Sequence, residues 1–127
     1  MLVSVLKSKI HRAVVTDAKV DYVGSITIDK ELMEKTGILT YEKVLVASVD
    51  TGQRLETYVI EGEKGKRDIC LNGAAAKLIK KGELVIIMAF GLLEQKEAEK
   101  NIPKVVHLDE NNNILKETLF VKENDEC

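Results

Sequence analysis

Apolar residues in this chain gather in short runs of four to ten positions broken by polar turns, and do not recur along one helical stripe. The runs predict strands at Leu2–Leu6, His11–Ala18, Ser25–Ile28, Lys43–Val49, Glu56–Ile60, Asp68–Leu71, Glu83–Leu92, Val105–Leu108 and Ile114–Val121. Val (14), Ile (11) and Thr (7) crowd into them, and their branched side chains suit a pleated, half-buried surface better than a helix. Turns such as Asp50-Thr51-Gly52 and Asn111-Asn112-Asn113 separate the runs. So many short strands in one small sheet would leave unpaired edges, so a closed or nearly closed barrel is expected.

Short helices punctuate the strands. Asp29 is placed to cap a helix through Leu32 and Met33, with Gly37 at the left-handed position that ends it. Asn72 is placed to cap a second helix, through Ala74, Ala75, Ala76, Leu78 and Ile79, with Gly82 as its terminator. A third candidate, Glu94–Lys100, is strongly charged and stops before Pro103. With 127 residues and no linker or repeat, the chain is read as a single domain, 1–127, whose polar end, Lys122–Cys127, is expected to fray.

Composition removes several function classes. The 19 basic and 21 acidic side chains leave a net charge of −2, too little positive charge for general nucleic-acid binding. The longest apolar stretch, Leu84–Leu93, has ten residues, about half of what a spanning helix needs, and the N-terminus lacks a signal-peptide pattern. The reading is therefore cytoplasmic, with no membrane partner. Cys70 and Cys127 form no C-x-x-C, which fits a reducing compartment, and Cys70 reads as a small core residue. His11 and His107 have neither metal-ligand nor triad spacing, so no metal is expected. Gly62-Glu63-Lys64-Gly65-Lys66-Arg67 lacks the spacing of a phosphate-binding loop and reads as a solvated basic turn. No dinucleotide fingerprint follows a strand, and Tyr22, Tyr41, Tyr58, Phe90 and Phe120 make no base-stacking ladder.

What remains is an ordered set: Lys9-Ile10-His11-Arg12, Tyr22-Val23-Gly24-Ser25-Ile26-Thr27-Ile28-Asp29, Gly37-Ile38-Leu39, Gly52-Gln53-Arg54 through Thr57-Tyr58-Val59-Ile60, and Asn72-Gly73-Ala74-Ala75-Ala76. Taken singly, these are a turn, surface charges, strand residues and a cap. In this order, from Met1 to about Phe120, they resemble the self-processing, pyruvoyl-dependent aspartate 1-decarboxylases. The resemblance implies a mainly β fold, a small double-psi β-barrel with two or three short helices. It also implies a homotetramer and conversion of L-aspartate to β-alanine and carbon dioxide on the route to pantothenate. Cleavage between Gly24 and Ser25 would give chains 1–24 and 25–127, the second starting with a pyruvoyl group made from Ser25. The resemblance does not specify a maturation factor.

The residue types suit that chemistry. Ser25 Oγ must approach the Gly24 carbonyl carbon, so strain is expected at this bond, with Gly24 permitting it. The resulting oxyanion needs a donor, and the resemblance points to the Thr57 hydroxyl. Decarboxylation needs an electron sink, which the pyruvoyl ketone would provide after condensing with the amine of aspartate. Tyr58, a phenol still protonated at neutral pH, is the candidate proton donor. Arg54 is the candidate clamp on the side-chain carboxylate, since a tight cation on the departing carboxylate would oppose its loss. Lys9 would add positive potential. Asn72 with the amides of Gly73, Ala74 and Ala75 would form a helix start that favours an anion. His11 and Tyr22 would pack around the processing turn, and His107 is read as structural. The alternative is a non-catalytic barrel that serves as an interaction module, which the composition supports equally well.

Overall fold

A computed structural model describes residues 1–118 of the chain. Nine strands and three helices follow in the order β1 (Leu2–Val14), β2 (Asp17–Lys19), β3 (Ser25–Asp29), α1 (Lys30–Thr36), β4 (Lys43–Ser48), β5 (Arg54–Gly62), β6 (Ile69–Asn72), α2 (Ala75–Leu78), β7 (Leu84–Glu94), α3 (Gln95–Ala98), β8 (Lys104–Leu108) and β9 (Ile114–Thr118). The expected fraying of Lys122–Cys127 and the end of the last strand lie outside the described residues.

The strands form one sheet in the order β2-β6-β3-β5-β4-β7-β1-β8-β9. Its closure is legible in that order, because β1 and β2 are one run of chain interrupted only by Val15 and Thr16. At the bend the Thr16 amide donates to the Ile69 carbonyl (2.8 Å), and the Thr16 hydroxyl accepts from the Ile69 amide (2.9 Å). One continuous segment therefore lies beside β7 and also beside β6, and the sheet wraps into a barrel. Parallel pairs (β1 with β8, β2 with β6, β3 with β5) are mixed with antiparallel ones, in keeping with the interleaved connections of the expected barrel. Ile10, Ile26, Ile28, Leu32, Ile69, Leu71, Ile79 and Ile87 fill it, each with no exposed surface. Burial of this kind is worth roughly 1.5–3 kcal/mol per large aliphatic side chain.

Two expectations need correction. The strands expected at Leu2–Leu6 and His11–Ala18 are one 13-residue strand up to Val14. The polar Lys7-Ser8-Lys9 stretch does not break it, because backbone pairing to β7 and β8 is indifferent to side-chain polarity; register shifts between Leu6 and Ser8 and between Ile10 and Ala13 let the strand bend instead. Asn72 does not cap α2. That helix has four residues and starts after Ala74 with no side-chain cap, and it ends at Ile79 rather than Gly82.

The first helix follows its sequence signals. Asp29 accepts from the Glu31 amide (2.8 Å), and Gly37 closes the helix at φ 74°. The basic turn after β5 wraps the same carboxylate: the amides of Gly65 (3.1 Å) and Arg67 (2.6 Å) donate to Asp29, and the Arg67 guanidinium pairs with Glu31 at 2.7 Å. The segment that superficially resembles a phosphate loop thus cradles an anion of its own chain. Among the described residues no helix is long and apolar enough to cross a membrane, and no group of three metal-ligating side chains occurs.

Candidate active site

The barrel wall places one cluster of polar side chains where the alternation of two strands requires it. β3 and β6 are antiparallel, with Ser25 opposite Asn72, Ile26 opposite Leu71, Thr27 opposite Cys70 and Ile28 opposite Ile69. The four aliphatic residues face the core and are fully buried, so Ser25, Thr27, Cys70 and Asn72 share the opposite face. That face is the floor of a cavity of about 660 Å³, walled by Asp17 and Lys19 of β2, by Asp21, Tyr22 and Val23 of the following turn, and by Asp68.

Hydrogen bonds knit the floor together. Asn72 Nδ2 donates to Ser25 Oγ (2.9 Å) and to Thr27 Oγ1 (3.1 Å), and the Cys70 thiol donates to Asn72 Oδ1 (3.3 Å). Ser25 Oγ lies 3.5 Å from the Val23 carbonyl and donates a long hydrogen bond to it. Ser25 has no exposed surface although Gly24 before it is exposed. The Cys70 thiol is pushed above its usual range by burial and then by the Asp17 carboxylate, so it stays protonated at neutral pH. Cys70 is buried as expected; its side chain also lines this cavity and stands outside the main cluster of packed apolar side chains.

The conformational demand falls one strand away from where the sequence suggests. Gly24 does not occupy the left-handed region, and a Cβ on it would meet nothing within 4 Å. Gly73 does occupy it, at φ 71°, and a Cβ there would stand 2.7 Å from Gly24 Cα and 2.8 Å from the Tyr22 carbonyl oxygen. Gly73 is therefore the residue that lets the β6 end pass against the Gly24–Ser25 turn. Its own amide donates to the Lys19 carbonyl (2.8 Å), so it already has a partner. Ala74 is exposed and Ala75 half-buried beside it, and neither lines the cavity.

The remaining expected site residues are arranged in two sets. Tyr22 stands on the cavity rim, with Lys19 Nζ 4.8 Å from its ring centroid. Tyr58 precedes Val59, the partner of Ile26 in the parallel β3–β5 ladder, so it lies on the strand next to Ser25, but it does not line the cavity. Thr57 precedes it on β5 and leaves the opposite face of the strand. Tyr58 packs near Tyr41, with ring centroids 6.4 Å apart. Lys9, His11 and Arg54 do not line the cavity. Lys9 lies on β1 opposite Met88 and Val105, His11 meets His107 edge-on at 5.2 Å, and Arg54 is exposed at the start of β5.

Thr27 and Cys70 were not among the sequence candidates. Their signal was a spacing of two from Ser25 and from Asn72 on strands, which puts each pair on one face.

The chain also matches known proteins. The sequence profile of the aspartate decarboxylase family matches residues 1–115. The aspartate 1-decarboxylase of Caldicellulosiruptor saccharolyticus is 60% identical over 116 residues, covering 91% of each chain, and that of Clostridium kluyveri is 54% identical over 122 residues, covering 96% of each. Among solved structures, the computationally designed protein msDPBB_sym2 shares 22% identity at a TM-score of 0.43, over 68% of this chain and 99% of that one.

Proposed function

The chain belongs to the aspartate decarboxylase family, and on that premise we propose that it is a cytoplasmic carboxy-lyase that removes the α-carboxylate of L-aspartate, giving β-alanine and carbon dioxide for pantothenate synthesis. The observation that carries this reading is the buried Ser25 hydroxyl, held by Asn72 immediately after the exposed Gly24 and facing a cavity.

Self-cleavage starts with attack of Ser25 Oγ on the Gly24 carbonyl carbon. The acyl group moves from nitrogen to oxygen, the C–N bond breaks, and the hydroxyl proton ends on the freed nitrogen. Thr57 is the donor to the oxyanion that the family resemblance suggests; because it leaves the face of β5 away from Ser25 and does not line the cavity of its own chain, we assign it to the site of another copy. Loss of the Ser25 α-proton then expels the Gly24 carboxylate, and hydrolysis of the remaining enamine releases ammonia and leaves a pyruvoyl group at the head of chain 25–127. The residues present suit such a group: its position is buried, the Asn72 amide stands within hydrogen-bond reach of it, and the cavity opens onto it. A ketone next to an amide carbonyl supplies the electron sink that decarboxylation needs. Tyr58, beside Ser25 on the neighbouring strand, delivers the proton to the carbon that loses carbon dioxide.

Aspartate is anionic, whereas Asp17, Asp21 and Asp68 outnumber Lys19 around the cavity of one chain. Cations must therefore come from elsewhere. Arg54 and Lys9 have no carboxylate partner among the described residues, and we assign them to the cavity of another copy in a homotetramer, with Arg54 gripping the side-chain carboxylate through paired hydrogen bonds. Tyr22, on the cavity rim, supports the processing turn, whereas His11, on β1 and packed against His107, would serve it only from another copy.

Intact-mass measurement of denatured protein tests the reading. Two fragments split after Gly24 are expected, the larger without a free amino group, and Ser25→Ala should remain whole and inactive. Aspartate decarboxylation by that whole chain would end the proposal.

A further inference from the structure

Ser25 is not the only polar residue on its strand face. The two cross-strand pairs Ser25–Asn72 and Thr27–Cys70 are successive on the same face of the β3–β6 ladder, and their four side chains are joined by three hydrogen bonds. Asn72 is at the centre of them. The residue is 5% exposed and both ends of its amide are used: Nδ2 serves Ser25 and Thr27, and Oδ1 accepts from the Cys70 thiol.

We propose that Thr27 and Cys70 are positioning residues for self-cleavage, holding the Asn72 amide with its NH2 toward Ser25. The inference rests on the cleavage reading above. An amide can be turned end for end with little change of shape, so the partners at its two ends decide the orientation. With the nitrogen toward Ser25, Oγ accepts a hydrogen bond and its own proton is left for the Val23 carbonyl, on the side of the peptide link to be broken. The reversed amide would instead accept that proton at Oδ1 and tie the hydroxyl to β6. Reversal would also set an NH2 group against the Cys70 thiol, whose sulfur is a poor acceptor, and would require the Thr27 hydroxyl to turn its proton toward the amide oxygen. Burial keeps the thiol protonated and therefore a donor. The two residues thus act from opposite ends: the Cys70 thiol, a donor whose sulfur accepts poorly, selects the oxygen, and the Thr27 hydroxyl, able to bond either end of the amide, anchors the nitrogen so placed.

The test follows cleavage by intact mass during timed incubation after a short induction. Thr27→Val and Cys70→Ala should each slow it about fivefold, the worth of one hydrogen bond, whereas Thr27→Ser and Cys70→Ser, which keep the hydroxyl acceptor and a donor, should stay within about twofold of the parent. Melting temperatures of the same substitutions in an uncleavable Ser25→Ala chain separate positioning from general destabilisation; the slowing should persist where melting is unchanged. Cleavage at the parental rate in both Thr27→Val and Cys70→Ala would overturn the proposal and leave the cleavage reading intact, whereas a parent chain that never cleaves would remove both. If the apolar variants do not fold, the side-chain amide protons of Asn72 in the Ser25→Ala chain decide: slow exchange with solvent is expected, and fast exchange would overturn the proposal.

Discussion

At Gly73 the backbone holds φ at 71°, and a Cβ there would stand 2.7 Å from Gly24 Cα. A side chain at this position meets both a steric penalty in its own backbone and a collision with the turn to be cut. Gly73→Ala should therefore cost about 3 kcal/mol of stability, whereas Gly24→Ala, with open space and no left-handed backbone, should change it by no more than about 0.5 kcal/mol. Urea unfolding of both substitutions in the Ser25→Ala chain checks this, and equal costs would contradict it. Both glycines stand out in the sequence, one before a serine and one after an asparagine. Which of them needs its freedom does not, because the need arises from contact between segments almost fifty positions apart.

At the level of elements, the β8–β9 turn shows how a local signal does long-range work. Asp109 accepts from the amides of Asn111 (2.8 Å) and Asn113 (2.9 Å), which fixes the turn. The fixed turn presents the buried Asn112 to Val14, whose amide it receives at 2.7 Å and whose carbonyl it donates to at 2.9 Å. Backbone donation holds the Asp109 carboxyl below the usual aspartate range. A lowered folded-state value means that this carboxylate contributes stability above the ordinary range and loses it as pH falls through the lowered one. Asp109→Ala should accordingly melt below the parent at neutral pH, with the gap closing on acidification; a gap that widened would contradict the assignment. The asparagine run was legible as a turn. That its middle residue would reach across to β1 and the Arg67 carbonyl was not, since pairing between distant strands leaves no local mark.

For the whole molecule, the charge on the cavity walls is the decisive quantity. One chain surrounds its cavity with three carboxylates and one ammonium, and it leaves Arg54 and Lys9 outside. If another copy supplies them, chains carrying Arg54→Ala and chains carrying Ser25→Ala should complement each other. Arg54→Ala alone should lower kcat/KM on the order of 100-fold through loss of a paired cation on an anionic substrate. Co-expression with Ser25→Ala should restore activity toward the share of whole sites that random mixing in a symmetric assembly leaves, about one in four. No gain over the single variants would place Arg54 in the site of its own chain.

The sequence by itself determined the barrel class, the first helix with its Asp29 and Gly37 ends, and the strings that mark the family. These follow from local rules: side-chain shape, hydrophobic runs, capping geometry and the order of motifs. Tertiary structure alone decided that Leu2 to Val14 is one bent strand, that Asn72 serves Ser25 and not a helix end, that Cys70 lines a cavity, and that Gly73 bears the close approach. Each of those depends on which strands become neighbours and in what register, and register is settled by burial of the whole core at once, a global balance that no single segment encodes.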